Sequence, residues 1–224
     1  AMHPEPGVRV TVICTDIDTP YSGMLPGYIA GHYPFEAVHI DLARLCVYAG
    51  ARFYHSKVTH IDRDSQQVIC DNRPPVPYDL LSINIGSTPQ LDQVTGAKAL
   101  AAPVKPIASF NRRWLSLLET VTQWATQRGR MTIAVVGGGA GGVELLLAMQ
   151  HRLQKEVTAA GRNPADLQFV LLTAGRTILP THNAHVQTQF MRVLRQRNVT
   201  VHLNTEVVAL SHGCLHTKDG RTYD

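Results

Sequence analysis

The chain has 224 residues, 44% hydrophobic and 17% charged, so it can bury a core and is not of the disordered class. Its net charge of +4 is scattered, which argues against a nucleic-acid partner. The densest basic group, Arg192, Arg195 and Arg197, reads as a solvated helix face.

In chain order, Val8 to Cys14 is a short β-branched run and reads as a buried strand. Thr19 to Gly31 is expected to be irregular, because Pro20, Gly23, Pro26, Gly27 and Gly31 interrupt it. Asp41 is placed to cap a short helix that Gly50 stops. Arg52 to Tyr54, Lys57 to Asp62 and Gln67 to Cys70 read as short strands, and Leu80 to Ile85 as a further buried one. Leu91 to Pro106 reads as a linker. Phe110, Trp114, Leu117, Val121 and Trp124 recur at helical spacing and predict a helix over 109–126.

Met131 to Val136 is a predicted strand, followed by a helix from Val143 to about Ala160 and a strand from Leu167 to Thr173. A helix around Val186 to Leu194 and three short strands within 199–217 complete the chain. Strands alternate with helices, so the fold class is α/β with parallel sheet. No run of 18 apolar residues occurs, and no transmembrane segment is expected. Cys14, Cys46, Cys70 and Cys214 form no CxxC and read as reduced thiols of a cytoplasmic protein. His182 and His185 lack a third ligand nearby, so no metal is expected.

The two halves repeat one pattern. Gly50 to Asp79 and Asn198 to Asp224 both run through a strand and a three-stranded meander to a closing Tyr-Asp, at Tyr78-Asp79 and Tyr223-Asp224. We read this as one nucleotide-binding module written twice.

The chemistry concentrates in Gly137-Gly138-Gly139-Ala140-Gly141-Gly142, between a β-branched strand and an apolar helix. Gly137, Gly139 and Gly142 fit GxGxxG in the context that dinucleotide binding requires. Gly137 allows the turn, Gly139 the approach of a pyrophosphate, and Gly142 the packing of helix on strand. The next strand should end in an acid that reads the ribose 2′-hydroxyl of NAD. Thr173 stands there, with Arg176 three residues on. That pattern leans toward NADP or toward a weak site. Arg176 reads equally as a surface side chain.

Tyr78 to Pro89 resembles a YDxLxxxxGSxP signature, Val135 to Glu144 a VVGGGxxGVE loop, and Leu172 to Pro180 an xxxGxxxLP segment. Together they resemble the FAD-dependent pyridine nucleotide-disulfide oxidoreductases. Without a cysteine pair, the similarity is to the type II NADH dehydrogenase and sulfide:quinone reductase branch. The resemblance implies two Rossmann-like FAD/NAD(P)-binding modules with small β-meanders, the first incomplete. Residues 1–106 would be a partial FAD-binding-type domain and 107–224 the NAD(P)-binding domain.

It further implies FAD and NAD(P) as cofactors, with hydride passing from NAD(P)H to the flavin and electrons leaving to a small acceptor such as a quinone. Glu144 matches a glutamate near the nicotinamide. Val58 matches the strand that meets the FAD adenine, Gly86 the turn beside the FAD phosphates, and Pro26 a segment near the isoalloxazine. A first GxGxxG loop and a final flavin-binding segment are missing, and Cys14 takes the place of the first module's acid. The chain is therefore expected to be the middle of a longer flavoprotein. Thr19 to Gly27 also resembles a flavoprotein-like domain fused ahead of selenide, water dikinase. The alternative function is accordingly a non-catalytic, regulatory nucleotide-binding module linked to that enzyme.

Overall fold

The structure, a computed structural model, describes residues 6–86, 91–105 and 107–224. The elements run β1 (Thr11–Cys14), β2 (Asp18–Pro20), α1 (Leu25–Ile29), β3 (His39–Asp41), α2 (Leu42–Tyr48), β4 (Arg52–His55), β5 (Val58–Asp62), β6 (Gln67–Cys70) and β7 (Val76–Pro77). They continue with α3 (Ala97–Leu100), α4 (Ile107–Trp124), β8 (Met131–Val136), α5 (Ala140–Ala159), β9 (Leu167–Leu172), α6 (Ala184–Gln196), β10 (Val199–His202), β11 (Val207–Ser211), β12 (Cys214–Thr217) and β13 (Thr222–Tyr223). Two compact units result. One holds the chain up to Ser22 with Phe35–Gly86, the other Gly23–Pro34 with the chain from Leu91 onward.

The class is α/β and Rossmann-like, with parallel strands and a small antiparallel meander in each unit. In the first unit β1 and β4 pair in parallel, β2 pairs with β3, and β5, β6 and β7 form an antiparallel meander. In the second unit the parallel order is β10-β9-β8, and β11, β12 and β13 form the meander. The repeat extends to detail. Asp41 accepts from the Arg44 N–H at the start of α2, and Asn183 from the Val186 N–H at the start of α6, each at 2.9–3.0 Å and three residues on. Such caps satisfy donors that the first helical turn leaves unpaired. Both meanders also shift register just after their first residue, between Val58 and His60 and between Val207 and Ala209.

The second unit's core lies between sheet and helices. Ile133, Phe169 and Leu171 from the sheet meet Val143, Leu146, Leu153 and Val157 of α5. The spacings of three, four and seven along α5 and of two along β9 are those of a helix face and a strand face. Phe110 and Trp114 of α4 join the same cluster, as do Leu25 and Ile29 of α1.

Three expectations need correction. Leu80 to Ile85 is irregular, with Leu80 93% and Ile85 90% exposed. A strand is stabilised by its ladder, and among the described residues this segment has no partner. Thr19 to Gly31 is partly regular, because Pro26 sits in the first turn of α1, where its missing N–H costs nothing. Residues 91–105 form more than a linker. Thr95 exchanges backbone bonds with β11, accepting from Leu210 at 2.8 Å and donating to Val208 at 3.0 Å. Gly96, at φ +78°, lies so close that an added Cβ would be 2.3 Å from the Leu210 carbonyl oxygen.

Candidate pyridine-nucleotide site

β8 delivers the chain into the glycine loop, and the loop into α5. The Gly137 N–H donates to the Leu172 carbonyl at 2.8 Å, which ties the turn to the end of β9. Gly137 has φ +118°, a conformation that favours glycine. A Cβ on Gly142 would lie 2.1 Å from the Gly137 carbonyl oxygen, so the helix reaches the strand only because position 142 has no side chain. The space around Gly139 and Gly141 is open to 4 Å.

Gly139 is the N-cap of α5 and has no side chain to accept from the helix. The Val143 N–H bonds back to the Gly139 carbonyl at 3.1 Å. The first N–H groups of a 20-residue helix therefore face an open, side-chain-free turn at the positive end of its dipole. That arrangement fits a pyrophosphate, because every feature that would crowd or neutralise it is missing from the loop. Ala140 is the first residue of α5 and half-buried.

α5 begins at Ala140, three residues earlier than the sequence suggested. Glu144 thus stands beyond the first turn and is exposed. The helix dipole acts mainly within the first turn, so it does not account for a carboxylate at this position.

Gly138 is buried and links three segments. Its carbonyl accepts from the Leu179 N–H at 2.7 Å, and a Cβ there would meet the Thr173 Oγ1 at 2.9 Å. Thr173 is buried directly beneath it, with its hydroxyl accepting from the Gly175 N–H at 3.3 Å. Leu179 is buried at φ +53°, where a branched side chain is uncommon. Leu179 is the leucine of the Leu-Pro pair in the 172–180 motif, but its positive φ and its bond to Gly138 leave no compositional signal. Arg176 is exposed on the turn between β9 and α6.

The remaining expected residues lie elsewhere. Pro26 is in α1 of the second unit. α1 meets α5 well along its length, where Gly31 approaches the Arg152 guanidinium. Twelve residues separate Ala140 from Arg152, a rise of about 18 Å. Val58 opens β5 and is 40% exposed, and Gly86 has φ +71° in open surroundings. Both belong to the first unit. Among the described residues that unit has no glycine-rich strand-to-helix turn. A cleft of about 1020 Å³ in the second unit is lined by Trp114, Val170, Leu215 and Tyr223, and by none of the glycine loop.

The profile of the pyridine nucleotide-disulphide oxidoreductases matches residues 2–224. The chain belongs to that family, whose members bind FAD and NAD(P)H. Among curated relatives, the type II NADH:quinone oxidoreductase of Haemophilus influenzae is 28% identical over 165 residues, 65% of this chain and 37% of the relative. The structure of NDH2 from Plasmodium falciparum in complex with NADH superposes with a TM-score of 0.80 at 19% identity, covering 93% of this chain and 46% of that one. The sulfide:quinone oxidoreductase of Aquifex aeolicus gives a TM-score of 0.74 at 16% identity, covering 97% and 50%. The chain thus spans a third to a half of the length of these relatives. They lend no support to the link with selenide, water dikinase.

Cys14, Cys46, Cys70 and Cys214 are free thiols. The Cys214 thiol is pushed up by its hydrogen bond to Asp224, and the Cys46 thiol by burial. Raised thiols are poor nucleophiles. Among the described residues no helix is long and apolar enough to cross a membrane, and no metal-binding cluster occurs.

Proposed function

We propose that this chain supplies the pyridine-nucleotide-binding part of an FAD- and NAD(P)H-dependent oxidoreductase. The observation that carries the reading is the Gly137–Gly142 turn, closed by contact at Gly142 and open at Gly139 and Gly141. In it the N–H groups at the start of α5 hold the pyrophosphate of NAD(P)H. Thr173 and Arg176 border the adenosine ribose. Glu144 borders the nicotinamide and orients it. Val58, Gly86 and Pro26 are assigned to the flavin side of the protein, with residues 1–106 as the FAD-type part and 107–224 as the NAD(P) part, although α1 with Pro26 and residues 91–105 pack within the second unit. The acceptor is a small molecule of the quinone class, a choice supported by the names of the Haemophilus and Aquifex relatives. The setting is cytoplasmic.

The test is Gly139→Asp. At φ −72° and with nothing within 4 Å of a Cβ, aspartate fits position 139 without strain. It is also a favoured N-cap. Thermal stability should stay level or rise slightly, while affinity for NADH and NADPH, read by calorimetric titration, falls at least about tenfold through repulsion of the pyrophosphate. Unchanged affinity in a folded variant would show that the loop cradles no phosphate.

A further inference from the structure

We infer that the nucleotide this site selects is the 2′-phosphorylated one, NADPH, and that Arg176 is the residue that reads the 2′-phosphate. The inference rests on the proposed nucleotide site and concerns the groups around its adenosine end. It runs against the cofactor of similar proteins, which include a type II NADH:quinone oxidoreductase and an NDH2 that binds NADH.

The first observation is the position of Thr173. It closes β9 and is packed beneath Gly138, where a side chain facing the glycine loop would meet the ribose. A carboxylate there accepts from the 2′-hydroxyl of NAD and repels a 2′-phosphate. Thr173 presents a neutral hydroxyl that is already held by the Gly175 N–H.

The second observation is the charge of the rim. No Asp or Glu occurs between Asp166 and Glu206. That stretch includes the whole β9–α6 connection. The β10–β11 connection is clipped onto the same turn, with the Thr205 N–H on the Thr173 carbonyl at 2.8 Å and the Asn204 N–H on the Gly175 carbonyl at 3.0 Å. It brings one carboxylate, Glu206, which Lys218 holds at 3.0 Å. The neighbouring Asp219 is held by Arg221, which also donates to the Thr205 hydroxyl at 3.3 Å. Both local carboxylates are therefore compensated. Arg176 is exposed on this turn and forms no ion pair among the described residues. Its planar fork matches a phosphate dianion, and no like-signed group opposes that ligand.

The third observation is the stiffness of the turn. Its ends are fixed by the Gly175–Thr173 and Asn204–Gly175 bonds and by the Leu179 N–H on Gly138. The backbone that carries Arg176 is thus tied to the glycine loop itself. A phosphate placed by that loop has its 2′-end set against a fixed segment.

The experiment is calorimetric titration of the full chain with NADPH, NADH, adenosine 2′,5′-bisphosphate and 5′-AMP. NADPH should bind about tenfold or more tighter than NADH, and the bisphosphate should exceed 5′-AMP by a similar ratio. Arg176→Ala should erase the ratio by weakening only the 2′-phosphorylated ligands, and Arg176→Lys should restore part of it. Thr173→Glu should invert the ratio. Equal binding of NADPH and NADH, or an equal loss of both in Arg176→Ala, overturns the inference and leaves the nucleotide site standing. If a folded chain binds none of the four ligands, both the inference and the proposed nucleotide site fall.

Discussion

Gly142 shows how one residue fixes a functional geometry. Its Cα faces the Gly137 carbonyl, and an added Cβ would be 2.1 Å from that oxygen. The obstacle is backbone, which cannot rotate away. Gly142→Ala should therefore destabilise the protein by about 1–3 kcal/mol, the usual range for forced overpacking. Gly139→Ala, with open space around it, should cost far less. Urea denaturation of the two variants checks this, and equal midpoints would refute it.

Asp219 gives a second residue-scale prediction. The Arg221 guanidinium, then the Thr217 hydroxyl, hold its carboxyl well below the ordinary 3.8. A depressed native value means that the unfolded chain takes up the proton first. The associated stability is present above about pH 3.8 and is lost as the pH falls below it. Melting temperature in wild type should drop more steeply over that acidic range than in Asp219→Asn. Parallel curves would rule out the contribution. The pair is half exposed, so added salt should shrink the difference.

At the scale of elements, the paired caps are the clearest signal. Asn183 accepts from the Val186 N–H at 3.0 Å, and its loss leaves a helix donor unpaired. Asn183→Ala should cost about 1 kcal/mol, while Asn183→Asp should retain the stability. Chemical denaturation of both variants measures it, and a neutral alanine variant would show that the cap carries no weight.

The helices and strands of the second unit were legible because α5 carries apolar residues at helical spacing and β9 is a short, largely apolar run. Elements whose stability is borrowed were not legible. Leu80 to Ile85 has strand composition but no ladder partner among the described residues, so composition overstated it. Residues 91–105 have the composition of a linker, yet Thr95 and Gly96 dock on β11, a contact about 115 residues away in sequence that no local pattern announces.

At the scale of the whole molecule, the internal repeat is real in the backbone. Both modules have a parallel strand pair, a side-chain cap three residues ahead of its acceptor's partner, and a meander that slips register at its first step. The modules differ where ligand chemistry enters. The second has the glycine turn and three parallel strands, the first two parallel strands and no such turn among the described residues. That difference is why the nucleotide reading attaches to the second unit.

By itself, the sequence determined the fold class, the repeat and the glycine loop, because each is written in local periodicity or in the unique backbone freedom of glycine. Only the tertiary structure decided that α1 packs with the second unit, that Leu179 ties its loop to Gly138, and that Thr173 and Arg176 share a rim whose carboxylates are already paired. Those facts depend on which distant segments come into contact. Such contacts are set by burial and hydrogen bonding across the fold, which a one-dimensional pattern does not encode.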